Sequence, residues 1–395
     1  MSIMDTLDQT VATRRDDLVL WTSLAACMAV GPMLLYTLTA VAPLVIEALD
    51  LSPTQYGAVS GVVFGSAALS AFVLSGPTGR ASARTVMVVV SLGSATGLAV
   101  FALADSFLVL LVAAVISGAA QALSNPATNR VVAAQPAGRR GALIGWKQSG
   151  VQMAQFAAGL TAPAIASAAG WRWAAAAGIT VGILGVATAL ALPRCPGHPS
   201  GYLRSGPSTA VSVRALTAYT FFMGFGLQAT NAWLPPFAHH ELGFGVATAG
   251  LIAAVIGLVG LVSRIWWARR AESRDSSALL TLAAGAAAGV GLALLGQIGG
   301  TWLVWPGAAL FGAAALASNA VAMLELVRTV PAASLAAATG VLVTGMYVGF
   351  ASGPVLFGLA VDHASYGVAW LLPLTAFGLA ALIGLPSSTS RPHNS

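Results

Sequence analysis

Residues 108–121 read LVLLVAAVISGAAQ, and residues 279–295 read LLTLAAGAAAGVGLALL. Neither stretch holds a charge. A barrel strand that lies in lipid alternates apolar and polar positions over ~10 residues. These runs do not alternate, so they predict helices, whose backbone hydrogen bonds are all satisfied within the segment. The rest of the chain agrees with them. Of its 395 residues, 57% are hydrophobic and only 8% charged, and the mean hydropathy is +0.84. A soluble domain carries roughly 25% charged residues. That shortfall excludes a water-soluble fold, a disordered chain and a nucleic-acid-binding protein.

A spanning helix needs ~20 apolar residues. Apolar runs and their breakers predict helices over 18–46, 54–75, 85–104, 107–134, 141–168 and 173–192. A second set is predicted over 214–238, 247–268, 277–298, 302–328, 335–361 and 367–385. The expected fold is an all-α polytopic membrane protein with 12 transmembrane helices in two six-helix bundles. The first bundle covers 18–192 and the second 214–385. Residues 193–213, rich in Pro, Gly, Ser and Arg, are expected to be a cytoplasmic linker. Residues 1–17 and 386–395 are expected to be cytoplasmic ends, and the acidic start (Asp5, Asp8, Asp16, Asp17) does not read as a cleavable signal. Cys27 and Cys195 suggest neither a disulfide framework nor a metal site.

Charge supplies the orientation. With a cytoplasmic N-terminus, fourteen of the 18 basic residues fall on inner segments, and Arg172 alone lies outside. Arg130, Lys147 and Arg264 remain within spans. This is the asymmetry of the positive-inside rule. It places the chain in a cell membrane, plasma or bacterial inner, with both termini in the cytoplasm.

The halves match at a shared offset. Gly31 meets Gly224, Pro43 meets Pro236 and Gly57 meets Gly250 at a shift of 193. Pro136 meets Pro331, Gly145 meets Gly340, Ser149 meets Thr344 and Gly150 meets Gly345 at 195. Such a repeat suits a duplicated bundle of the parallel-repeat transporters. The segment Gly141 to Gly150 (GALIGWKQSG) resembles the fifth helix of the major facilitator superfamily. Gly170-Trp171-Arg172-Trp173 resembles the entry to its sixth, and Gly353-Pro354, Phe357-Gly358 and Asp362 the end of its eleventh. The resemblance runs over nearly the whole chain. It implies a central cavity between pseudo-two-fold-related bundles and alternating access by rocking.

That family's loop between helices two and three reads Gly-x-x-x-Asp-Arg-x-Gly-x-Arg. Here Arg80 and Arg84 are kept, but Gly79 and Ser82 replace the Asp and the second Gly. The second-half copy has Glu272 at the acidic position and Ser273 in place of Arg. The resemblance implies gating roles for Arg80, Arg84 and Glu272; ordinary loop charge is the other reading. Arg264, beside a cytoplasmic charge cluster, is structural or gating.

A charge within a bilayer costs at least ~2.5–3.5 kcal/mol. Arg130 and Lys147 are equidistant from the turn between two neighbouring helices, roughly 9–13 Å from its centre at 1.5 Å per residue. Together they suit an anionic substrate group. Snorkelling to the inner headgroups is the alternative. Asn125 and Asn129 flank Pro126 in a helix-distorting stretch of the kind that lines cavities. Gln148, Gln152 and Gln155 recur on one helical face beside Lys147, as a cavity wall or as interhelical hydrogen bonders. Gln228 and Asn231 share a face of the seventh helix, and Asn319 lies in the tenth. Tyr36 and Tyr347 suit a substrate wall or an interface anchor. Glu325, the repeat mate of Arg130, is the candidate proton carrier, or else an end-of-helix partner of Arg328.

The expected function is a secondary transporter for a small organic or inorganic anion, working as a proton symporter and as a monomer. Proton-driven efflux of drug-like compounds is the alternative. Against it, Ala114 stands where drug antiporters of this resemblance carry Arg, and the first helix has no carboxylate. A membrane-embedded sensor or enzyme is a third reading, but no catalytic constellation, cofactor motif or metal-ligand cluster is present in the sequence. Its expected partners are the solute, protons and the lipid bilayer.

Overall fold

The computed structural model describes residues 3–74, 80–192, 211–271 and 277–385. Glu272, Cys195, residues 75–79, the expected linker up to residue 210 and the expected tail 386–395 lie outside the described residues. Helices occupy all twelve expected segments. They are α1 (Ile3–Val30), α2 (Met33–Ala40), α3 (Ala42–Ala48), α4 (Pro53–Val73), α5 (Ala83–Ala102), α6 (Phe107–Gln121), α7 (Ser124–Ala133), α8 (Ala137–Ala169) and α9 (Trp171–Ala191). There follow α10 (Val211–His240), α11 (Val246–Ala271), α12 (Ala278–Leu294), α13 (Gly296–Gly299), α14 (Val304–Thr329), α15 (Ala332–His363) and α16 (Tyr366–Ile383).

Among the described residues, nine helical stretches are long and apolar enough to cross a membrane unaided, and α1 with α2 forms a bent pair at 57°. Helices α8 and α10 are not among the nine. They carry the polar stripes at Lys147–Gln155 and Gln228–Asn231, which lower their hydropathy. An amphipathic membrane helix has to hide that stripe from lipid, so its polar face is packed against protein.

Proline sets the breaks. Pro32 follows Gly31 at the α1–α2 bend. Pro126 is the third residue of α7, and its ring is aimed at the carbonyl four residues back, on Ala122. That clash explains why the helix breaks at Ala122–Leu123 although neither residue disfavours helix. The result is a separate helix, α7, that opens with Ser124, Asn125 and Pro126. In α10, Pro236 leaves the carbonyl of Ala232 without its amide donor, and the Tyr56 hydroxyl donates to it at 2.9 Å.

The chain forms two compact units. One comprises Met1–Leu38 and Ser66–Gly201, the other Thr39–Gly65 and Tyr202–Ser395. Thus α3 and the first part of α4 pack with the later helices. In the first unit α1 packs on α8 and α9, and α5 on α6 and α9. In the second, α10 packs on α15 and α16, and α12 on α14 and α16. These pairings are the same once the repeat offset is applied.

Close approach needs glycine at two matched places. A Cβ on Gly150 would fall well inside contact distance of the Ala25 carbonyl, where α8 crosses α1. A Cβ on Gly345 would lie 2.6 Å from Thr217 Cγ2, where α15 crosses α10. At the α4 start, the Asp362 carboxylate accepts from the Thr54 amide at 2.8 Å and from the Thr54 hydroxyl. It caps the orphan donors of a helix N-terminus.

Candidate functional site

The α6–α7 break turns one face of α7 toward α8. Asn125, Thr128 and Asn129 stand at i, i+3 and i+4, so they share that face. Lys147 comes from the facing side of α8 and is 1% exposed. Its Nζ donates to Asn129 Oδ1 at 2.6 Å, Thr128 Oγ1 at 3.0 Å and Asn125 Oδ1 at 3.1 Å. An ammonium has three N–H donors, and all three are used.

The acceptors are kept in place by their own bonds. The Thr128 hydroxyl donates to the Ser124 carbonyl at 2.7 Å, leaving its lone pairs to Lys147. Gln148 Nε2 donates to Asn125 Oδ1 at 3.2 Å, fixing the amide with its oxygen toward the lysine. Every partner is neutral. Arg139 forms an ion pair with Asp17, at 2.8 Å and half exposed. The Cys27 thiol, from α1, lies within electrostatic reach of the lysine.

A buried charge without a counter-charge costs several kcal/mol even after relaxation. Three neutral hydrogen bonds recover part of that cost. The remainder leaves an uncompensated cationic spot. Asn129 is exposed and Asn125 half-buried.

The structure brings Lys147, Asn125, Asn129 and Gln148 into contact, together with Thr128. The i, i+3, i+4 spacing with the two asparagines was its signal, which reading Asn125 and Asn129 alone passed over. Gln152 and Gln155 are each 2% exposed, further along α8. Tyr36 is half-buried on α2.

Arg130 does not join this cluster. Its Nη1 donates to the Ala81 carbonyl at 2.8 Å, ahead of α5. Arg84 serves a similar local need, donating to the Leu192 carbonyl at 3.3 Å, and Arg80 is exposed.

Asn231 Nδ2 donates to Gln228 Oε1 at 3.3 Å on α10. Asn319 and Glu325 are half-buried on α14, and Arg264 half-buried on α11. Tyr347 packs among aromatic rings, 6.1 Å from Phe64 and 6.0 Å from Phe350.

A family model described as the Major Facilitator Superfamily matches residues 24–332. The chain belongs to this superfamily. Among solved structures it is similar to a mutant of the nucleoside transporter NupG, with TM-score 0.71, 16% identity, and coverage of 92% of this chain and 98% of that one. It is also similar to a bacterial homolog of the human lysosomal transporter Spinster, inward-facing and unoccupied, at TM-score 0.67 and 17% identity. There the coverage is 92% of this chain and 94% of that one. At such identities the likeness shows the fold alone. No curated protein matches the chain. The family and the apolar helices make this facilitator a multi-pass membrane transporter.

Proposed function

We propose that this transporter moves a small organic or inorganic anion, drawn in together with protons, and that Lys147 holds the anionic group. One observation carries the reading. The Lys147 ammonium is 1% exposed and surrounded by neutral oxygens, with no carboxylate in ion-pair contact among the described residues. An anion supplies the missing counter-charge, and the amide groups of Asn125, Asn129 and Gln148 offer N–H donors to its other oxygens. A lipophilic cation, the usual cargo of drug exporters, is repelled at this spot.

Arg130 is better placed as a tether of the α4–α5 connection than as a second anion ligand, because its guanidinium already serves the Ala81 carbonyl. The test is ligand-induced thermal stabilisation of the purified protein with nitrate, acetate, lactate, oxalate and benzoate, set against a lipophilic cation such as tetraphenylphosphonium. An anion from this panel is expected to raise the melting temperature and to be taken up by proteoliposomes. Lys147→Ala is expected to lower that uptake roughly tenfold, the equivalent of about 1.4 kcal/mol. Stabilisation by the cation alone, or unchanged anion uptake by Lys147→Ala, overturns the reading.

A further inference from the structure

Lys147 sits in a site built for two charge states, and that construction goes beyond anion recognition. Asn125 and Asn129 present their oxygens to the ammonium. A carboxamide carries a donor and an acceptor, so turning the exposed Asn129 amide presents Nδ2 instead, which suits the lone pair of an uncharged amine. Thr128 adapts likewise, since a hydroxyl donates or accepts. An aspartate at position 129 would lack this freedom and would fix the positive charge permanently.

Among the described residues, the groups that face Lys147 include no counter-charge. From α1 the neighbour is the Cys27 thiol. From α7 come Asn125, Thr128 and Asn129, while the Arg130 guanidinium on the same helix is engaged at Ala81. On α8 itself the neighbouring side chain is the Gln148 amide. The charged residues nearer the helix start, Arg139 and Arg140, bind Asp17 and the Gln135 carbonyl.

We infer that Lys147 itself carries the coupled proton: proton and anion load together on its amine, and the emptied site resets uncharged. This rests on the anion reading above and replaces Glu325 as the coupling group. The step balances without a covalent change: amine, proton and anion combine to ammonium and anion, and the loaded site is neutral. Coupling is then reciprocal by linkage. The anion tightens proton binding by the same factor as the proton tightens anion binding. Carrying the neutral pair through the membrane avoids the cost of moving an unpaired ammonium.

The experiment measures proton uptake on anion binding. The detergent-purified full-length transporter is held in weak buffer with a pH-indicator dye, and the most stabilising anion of the panel is added. Near neutral pH, net proton uptake accompanying anion binding is expected, and Glu325→Gln is expected to take up protons as wild type does. Lys147→Arg, whose guanidinium stays charged, is expected to take up none. Whatever anion exchange Lys147→Arg retains in proteoliposomes is expected to be indifferent to an imposed pH gradient. Asn129→Asp is expected to lose anion binding, because its carboxylate occupies the ammonium.

Anion binding with no proton uptake anywhere between pH 6 and 9 overturns the proposal while leaving the anion reading standing. So does proton uptake abolished by Glu325→Gln, or gradient-driven accumulation by Lys147→Arg. If Lys147→Arg binds no anion, the Glu325→Gln comparison decides. If no anion of the panel binds wild type, both readings fail together.

Discussion

Two places in the molecule share a backbone plan and differ in chemistry. In the first unit α8 crosses α1 at Gly150, and the space beside the crossing holds Lys147, Thr128 and two asparagines. In the second, α15 crosses α10 at Gly345, 195 residues later. There the mate of Lys147 is Leu342, and the mates of Asn125, Thr128 and Asn129 are Ala320, Met323 and Leu324. Leu342 is fully buried in a cluster with Val213, Leu216, Leu326, Val330 and Ala338, with Met323 packed against it. Thr220, the mate of Cys27 at an offset of 193, turns its hydroxyl back onto the Thr217 and Leu342 carbonyls. Duplication preserved the crossing, which depends on small residues. The filling diverged. The second copy shows what the space holds when packing is its only task, so the polar filling of the first is what needs a functional explanation.

Exchanging the fillings should break the symmetry most severely. Leu342→Lys places an ammonium among the Leu, Val, Ala and Met side chains of that cluster. It is expected to destabilise the protein by about 3–5 kcal/mol, as for an uncompensated buried charge, read as loss of the folded peak in detergent or a large drop in melting temperature. The crossing itself comes next. Gly150→Ala forces a methyl onto the Ala25 backbone carbonyl and should cost about 1–3 kcal/mol. Gly345→Ala meets the Thr217 methyl at 2.6 Å and stays 3.1 Å from the Thr217 carbonyl, a less direct backbone clash, and should cost less. Equal melting temperatures for the two variants would show that the crossings are not equally tight in the way described.

The reverse exchange carries the opposite sign. Lys147→Met imitates the second unit and is expected to leave stability unchanged or raise it by up to about 2 kcal/mol, since an apolar filling spares the burial of a charge. Anion uptake should fall roughly tenfold in the same variant, as for Lys147→Ala. A protein both less stable and fully active would remove the functional reading of the cluster. Arg130→Ala is expected to have the smallest effect, a loss of about 1 kcal/mol from the Ala81 contact. Its anion affinity, measured by thermal shift, should fall far less than that of Lys147→Ala.

Helix placement was legible along the chain because the bilayer is a demanding solvent. Each crossing segment has to be apolar and satisfy its own backbone, so hydropathy reveals the spans. The glutamine stripe beside Lys147 and the Asn125–Asn129 pair were legible for a similar reason, since polar groups in such segments need partners. Even the α6–α7 break is written in Pro126.

Depth along neighbouring helices, however, does not say which way a side chain turns. Arg130 and Lys147 sit at matching distances from their shared turn, yet one reaches the Ala81 carbonyl and the other the asparagine cluster. That choice depends on where α5 and its preceding loop pass, a contact 49 residues distant in sequence. Thr128 gained its place beside the ammonium in the same way, through the packing of α7 and α8. Composition and periodicity are local along the chain and settle what each helix is. The surroundings of a buried charge are assembled from three helices at once, so only their packing determines whether it meets an acid, an amide or nothing.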